Sequence, residues 1–232
     1  MHDETRVETA RPSRIPWVAP RPFDAVSVSD PAYPKAVVDY CCQEFLIRER
    51  QVMQVYEELL NLAYWLRGFA PVNILEIGTA AGATFFVLSR LATGKKATID
   101  IRDARNNLHL AMFGHDWCFF HGDSQSEAMR HQVRAYCESF DLIFIDGDHR
   151  YAGVKKDFEA WRPLLSSRGV ILFHDVDPDH AFKDGAGGEV WKFWQDLDEG
   201  TKTMLCCSRS SGRVSVLGQS CGFGGIGIWS PG

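Results

Sequence analysis

From residue 73 onward, short apolar runs alternate with helical segments, and no other feature limits the possible folds as strongly. The runs are Asn73–Ile77, Lys96–Ile101, Trp117–Phe120, Asp141–Ile145 and Val170–Phe173. Between them, helical segments are expected over about 82–92, 104–112, 125–138 and 153–165. In the last of these, Val154, Phe158, Trp161 and Leu165 form one apolar stripe. Strands that alternate with helices build βαβ units with right-handed crossovers, hence a parallel sheet with helices on its faces. Asp141–Ile145 and Val170–Phe173 are nearly continuous apolar runs, the pattern of strands covered on both sides. The expected fold class is therefore α/β, doubly wound and mostly parallel.

Two segments precede this region. Residues 1–34 hold six of the ten prolines, which fix φ and remove backbone donors, so an extended arm is expected there. Trp17 and Phe23 could anchor it on the body or on a second subunit. Residues 36–67 contain neither Gly nor Pro. Val52, Tyr56, Leu59, Ala63 and Leu66 recur at three- and four-residue steps, which predicts one or two helices over 35–70, stopped by Gly68 and Pro71. Residues 71–232 then form the main domain. After residue 188, Val190, Trp191, Phe193, Trp194 and Leu197 mark a helix. The strand-like pieces Thr201–Cys207, Arg213–Leu217 and Gly225–Trp229 are expected as antiparallel edge strands.

Composition narrows the partners. With 25 basic and 30 acidic residues the net charge is −5, which gives no electrostatic footprint for nucleic acid or an anionic membrane. No run of 18 apolar residues occurs, and the first residues, MHDETRVETARPSR, lack the apolar core of a secretion signal. The seven cysteines are odd in number and include no C-x-x-C, so reduced thiols and a cytoplasmic location are expected.

The chemistry-bearing residues collect where the apolar runs end. The first junction reads Leu75-Glu76-Ile77-Gly78-Thr79-Ala80-Ala81-Gly82, in which Gly78 and Gly82 allow a tight turn close to a ligand. A dinucleotide fingerprint needs a glycine where Ala80 stands, which argues against a nicotinamide dehydrogenase. Asp100 lies at the tip of the second run, 22 residues after Gly78, and is placed to accept hydrogen bonds from ribose hydroxyls. The third run ends in Asp123 and Ser124, beside an adenine edge in a nucleotide reading. Ser124 with Glu127 also reads as a helix capping box. The fourth and fifth runs end in Asp146, Asp148, His149, His174 and Asp175. In an open parallel sheet such tips meet beyond the carboxyl ends of the strands, where carboxylates and imidazoles suit a divalent metal or proton transfer. Residues 176–188 follow directly as a polar, glycine-containing loop, from which His180 and Lys183 could reach the site.

Taken together, LEIGTAAGAT, TIDIR, HGDS, FDLIFIDGDHRYAGVKKDFEAW and GVILFHDV resemble class I S-adenosylmethionine-dependent methyltransferases. More narrowly they resemble the branch of macrolide-sugar O-methyltransferases and cephalosporin-hydroxylase-like proteins. The resemblance covers about 73–200. It implies a Rossmann-like seven-stranded sheet whose last strand is antiparallel. It implies that Glu76, Gly78, Thr79 and Gly82 line the methionine part of the cofactor, that Asp100 holds the ribose, and that Asp123 and Ser124 hold the adenine. It also implies magnesium or manganese on Asp146, His174 and Asp175, with His149 as general base. His174 departs from the carboxylate usual in metal-dependent relatives, which leaves a weakly held magnesium, a softer manganese or no metal open. The implied reaction is O-methylation of a hydroxylated small molecule such as a sugar or natural product, by a chain that self-associates. The alternatives are a hydroxylase-like protein with iron on the histidines and a carboxylate, and a cofactor-binding module without turnover.

Overall fold

The computed structural model describes residues 23, 26–47, 54–103, 116–178, 188–206 and 224–232. Most of the proline-rich arm, the helix expected over 104–112, the strand piece Arg213–Leu217 and the loop residues His180 and Lys183 lie outside these residues. Two helices come first, α1 (Tyr33–Ile47) and α2 (Tyr56–Phe69). Then follow β1 (Ile74–Ile77), α3 (Ala83–Arg90), β2 (Lys96–Asp100), β3 (Cys118–His121), α4 (Glu127–Tyr136), β4 (Phe140–Ile145) and α5 (Tyr151–Trp161). A 3₁₀ turn (Arg162–Leu164) leads into β5 (Leu165–His174), and α6 (Val190–Asp196), β6 (Thr201–Cys206) and β7 (Ile226–Ser230) complete the order.

The seven strands form one sheet in the order β3-β2-β1-β4-β5-β7-β6. Strands β1 to β5 pair in parallel, and β7 runs antiparallel to both β5 and β6. β7 therefore lies inside the sheet, between β5 and β6, rather than at an edge as its position in the chain suggested. The strand order reverses between β1 and β4, so this Rossmann-like sheet opens its crevice beyond the carboxyl ends of those two strands.

Period-two alternation sorts the central strands onto two dry faces. Leu75, Ile77, Ile143, Ile145 and Phe173 face Trp161, Phe158, Phe193 and Trp229. Ile74, Leu142, Phe144 and Leu172 face Leu62, Leu66, Phe85 and Leu88. The prefix helices pack on α3 through Val37, Val38, Phe45, Leu59 and Phe86. Phe23 joins this cluster, its ring 4.9 Å from Tyr40 and beneath the Arg90 guanidinium.

Two helix-boundary signals, one stop and one start, fall differently from the sequence expectation. α2 runs through Gly68, and Ala70 takes the left-handed conformation (φ 50°) that closes the helix with a bond to the Leu66 carbonyl. Ser126, not Ser124, caps α4, its hydroxyl accepting from the Met129 N–H at 3.2 Å. No helix among the described residues is long and apolar enough to cross a membrane.

Candidate active site

The carboxyl ends of β1 to β4 enclose a crevice of about 690 Å³. Gly78, Asp100, Asp123, Ser124, Asp146 and His149 line it, together with Arg102 and Arg150. Strand topology alone brings these residues together. Asp100 and Asp146 end neighbours of β1, and Gly78 sits where the chain leaves the strand between them. Gly78 has φ 94°, and a Cβ there would run into the Asp146 carbonyl, so only glycine lets the β1 and β4 tips meet. Gly82, at φ 86°, starts α3.

Asp100 and Asp123 are held by backbone donors. Asp100 accepts from the Ala80 N–H at 2.9 Å and the Arg102 N–H at 2.8 Å. Asp123 accepts from the Gln125 N–H at 2.9 Å. Ser124 donates its hydroxyl proton to the buried Asp157 on α5 at 2.7 Å, which leaves its lone pairs toward the crevice.

Glu76 and Thr79 lie behind the wall. Both are buried, and Thr98 links them, donating to Glu76 at 2.8 Å and lying 2.5 Å from the Thr79 hydroxyl. Burial pushes the Glu76 carboxyl well above its usual range. Neither residue nor Gly82 is on the crevice lining, in contrast to the contacts with the methionine part of the cofactor that the resemblance implied.

At the β4 and β5 ends the polar tips converge. One ligand atom each from Asp146, His149 and Asp175 lies within 4.8 Å of the others. His149 Nε2 is 3.3 Å from Asp146 Oδ1, and its Nδ1 is 3.0 Å from Asp175 Oδ2. Its hydrogen bonds to Asp146 and then Asp175 outweigh burial and raise the imidazole pKa to about 10. Asp175 is held in the left-handed region at φ 60°, a strained setting for a residue with a Cβ.

His174 is buried beside the same acids, its Nδ1 3.4 Å from Asp146 and 3.3 Å from Asp175. Its Nε2 faces Glu58 of α2 at 3.5 Å. The compact trio therefore contains His149, where the family resemblance implied His174. Asp148, also expected in the cluster, is drawn away to Arg150 through both carboxylate oxygens.

Against this geometry stand the comparisons with known proteins. Residues 75–176 match the family described as "Methyltransferase domain". Among solved structures, an O-methyltransferase from Bacillus cereus in complex with S-adenosylhomocysteine superposes with a TM-score of 0.58 at 20% identity. That match covers 87% of this chain and 93% of that one. The MycE methyltransferase of the mycinamycin pathway, solved with magnesium and S-adenosylhomocysteine, gives 0.53 at 14% identity, over 84% of this chain and 53% of that one. A curated relative, the uncharacterized protein y4gI of Sinorhizobium fredii, is 31% identical over 149 residues, 57% of this chain. The chain spans 16% of that relative's length.

The site also draws on residues that carry no motif. Gln54, at the entry to α2, donates to Asp146 Oδ2 at 2.7 Å. Glu58, one turn later, accepts from the Gly225 N–H at 2.7 Å and faces His174. Gln54 and Glu58 lie in a helical prefix legible only by its period, and nothing local in the sequence announces that they reach the strand tips.

Proposed function

We propose that the protein is an S-adenosylmethionine-dependent methyltransferase that methylates a hydroxyl oxygen of a small molecule, assisted by a divalent cation. One observation carries this reading: Asp146 and His149 belong both to the crevice lining and to the ligand trio. A donor bound in the crevice would thus lie beside the group that handles the acceptor.

The crevice suits the cofactor in size, since small-molecule sites run to about 300–1,000 Å³. Its donor set suits it too. Asp100 can accept from ribose hydroxyls, and Asp123 and Ser124 offer acceptors to an adenine amino group. S-adenosylmethionine, when bound, supplies an electrophilic methyl group on a sulfonium. Gly78 and Gly147 admit it close to the backbone, and the walls hold donor and acceptor in line, an orientation effect.

Two carboxylates and an imidazole fit magnesium or manganese, and a cation on Asp146, His149 and Asp175 would supply Lewis acidity to the acceptor hydroxyl. An imidazole coordinated to the cation has no lone pair left to accept a proton, so with metal bound His149 would act as a ligand, and the hydroxyl proton, made more acidic by the cation, would pass to solvent as the methyl group leaves the sulfonium sulfur for the oxygen. The trio has one imidazole and two carboxylates, the inverse of the two-histidine, one-carboxylate set of non-haem iron oxygenases, so the methyl-transfer reading is favoured over hydroxylation. A cytoplasmic setting, expected from an odd number of cysteines with no C-x-x-C, belongs to this reading. Self-association through the proline-rich arm and the absence of a nucleic-acid or membrane partner belong to the same reading.

The test is calorimetry with S-adenosylhomocysteine, followed by turnover of S-adenosylmethionine on a panel of hydroxylated compounds with manganese or chelator. Binding that falls at least about tenfold in Asp100→Ala, and turnover lost in Asp146→Ala with cofactor binding kept, are expected, since charge-assisted hydrogen bonds are worth ~1.5–3 kcal/mol. A wild-type protein that fails to bind S-adenosylhomocysteine at millimolar levels contradicts the proposal.

A further inference from the structure

The Gln54 carboxamide spans two elements of the fold. It is buried, its Oε1 accepts from the Thr84 hydroxyl on α3 at 2.5 Å, and its Nε2 donates to Asp146 Oδ2 at 2.7 Å. Chemistry fixes this orientation. A carboxylate only accepts, so the NH₂ group must face Asp146, and the amide oxygen is left for the Thr84 proton. Asp146 is thereby held from behind through Oδ2, and Oδ1 is the oxygen turned toward His149 and His174. The donor is also neutral. An arginine or lysine in this place would cancel the charge that a cation needs, whereas an amide satisfies one lone pair and leaves the charge intact.

We propose that Gln54 is a positioning residue that fixes the rotation of the Asp146 carboxylate, so that Oδ1 serves as the ligand atom for a divalent cation shared with His149 and Asp175. The inference rests on the metal reading above, and it makes the helical prefix part of the metal site rather than a separate appendage. Thr84 is one step further out, since it aims the amide. The Asp100, Asp123 and Ser124 end of the crevice makes no contact with Gln54 in the hydrogen bonds seen, so the effect should be confined to the cation.

The experiment titrates manganese and follows the free ion by electron paramagnetic resonance, with S-adenosylhomocysteine affinity measured in parallel. Gln54→Met keeps the side-chain length and removes the donor. Thr84→Val keeps the donor and removes its aim, and it serves should Gln54→Met fold poorly. Partners of metal ligands typically change affinity by about 10–100-fold, so Gln54→Met should weaken manganese by that factor and Thr84→Val by less, with S-adenosylhomocysteine affinity within about twofold of wild type. Unchanged manganese affinity in both variants overturns the role of Gln54 while leaving the metal site standing. Parallel loss of manganese and S-adenosylhomocysteine affinity also overturns it, because that is what a general packing role would produce. A wild-type protein that binds no manganese overturns the metal reading itself.

Discussion

Asp157→Asn should change how stability depends on pH. Asp157 lies wholly buried on α5, with Oδ1 accepting from Ser124 and Oδ2 buried without a hydrogen bond. Burial is the main cause that lifts its pKa to about 6, and the nearby Asp148 charge adds to it, while the Ser124 hydroxyl works the other way. In the unfolded chain the group titrates near ~3.9. Between these values the native state binds more protons than the unfolded state, so stability falls as pH rises through that window, and the full penalty is present above it. This is opposite in sign to a salt-bridged aspartate. A shift of about two units corresponds to about 3 kcal/mol. Asparagine does not titrate, so the unfolding free energy of Asp157→Asn minus that of wild type should rise by about 2 kcal/mol between pH 4 and pH 7. Constant effects of the new amide cancel in that change. Urea unfolding at each pH measures it. A difference that stays flat across the window refutes the argument that Asp157 is a buried charge at neutral pH.

Gly78→Ala forces a Cβ against the Asp146 carbonyl at a positive φ, and should cost at least about 2 kcal/mol in thermal melts and weaken S-adenosylhomocysteine binding, because the β1 and β4 tips must part. Unchanged melting would mean that the tips are not in contact. The two serines before α4 should separate cleanly. Ser126→Ala should cost about 1 kcal/mol of stability with cofactor affinity kept, because it removes only a helix cap. Ser124→Ala should lower cofactor affinity in calorimetry, because its oxygen faces the crevice.

Much of this architecture was legible in the sequence because both dry faces of the sheet leave a written pattern. Phe140–Ile145 is buried at every position, and its composition declares a central strand. The crevice residues Gly78, Asp100, Asp123, Ser124 and Asp146 stand at strand tips, where a break in an apolar run marks them. What was hidden depends on contacts distant in the chain or on choices between near-equal neighbours. Gln54 and Glu58 reach the site only because the start of α2 lies against the tips of β4 and β5, and a polar residue there carries no sign of such a partner. Ser124 and Ser126 both offer a capping hydroxyl, and the choice between them follows from Ser124 being drawn to Asp157. The place of β7 between β5 and β6 is set by sheet pairing, which local periodicity does not encode.

A crystal soaked with S-adenosylhomocysteine and manganese tests the central claim most directly. The account predicts ribose density on Asp100, adenine beside Asp123 and Ser124, the sulfur near Gly78, and an anomalous peak between Asp146, His149 and Asp175. Ligand density outside the β1–β4 crevice, or a sulfur far from Asp146 and His149, would contradict it.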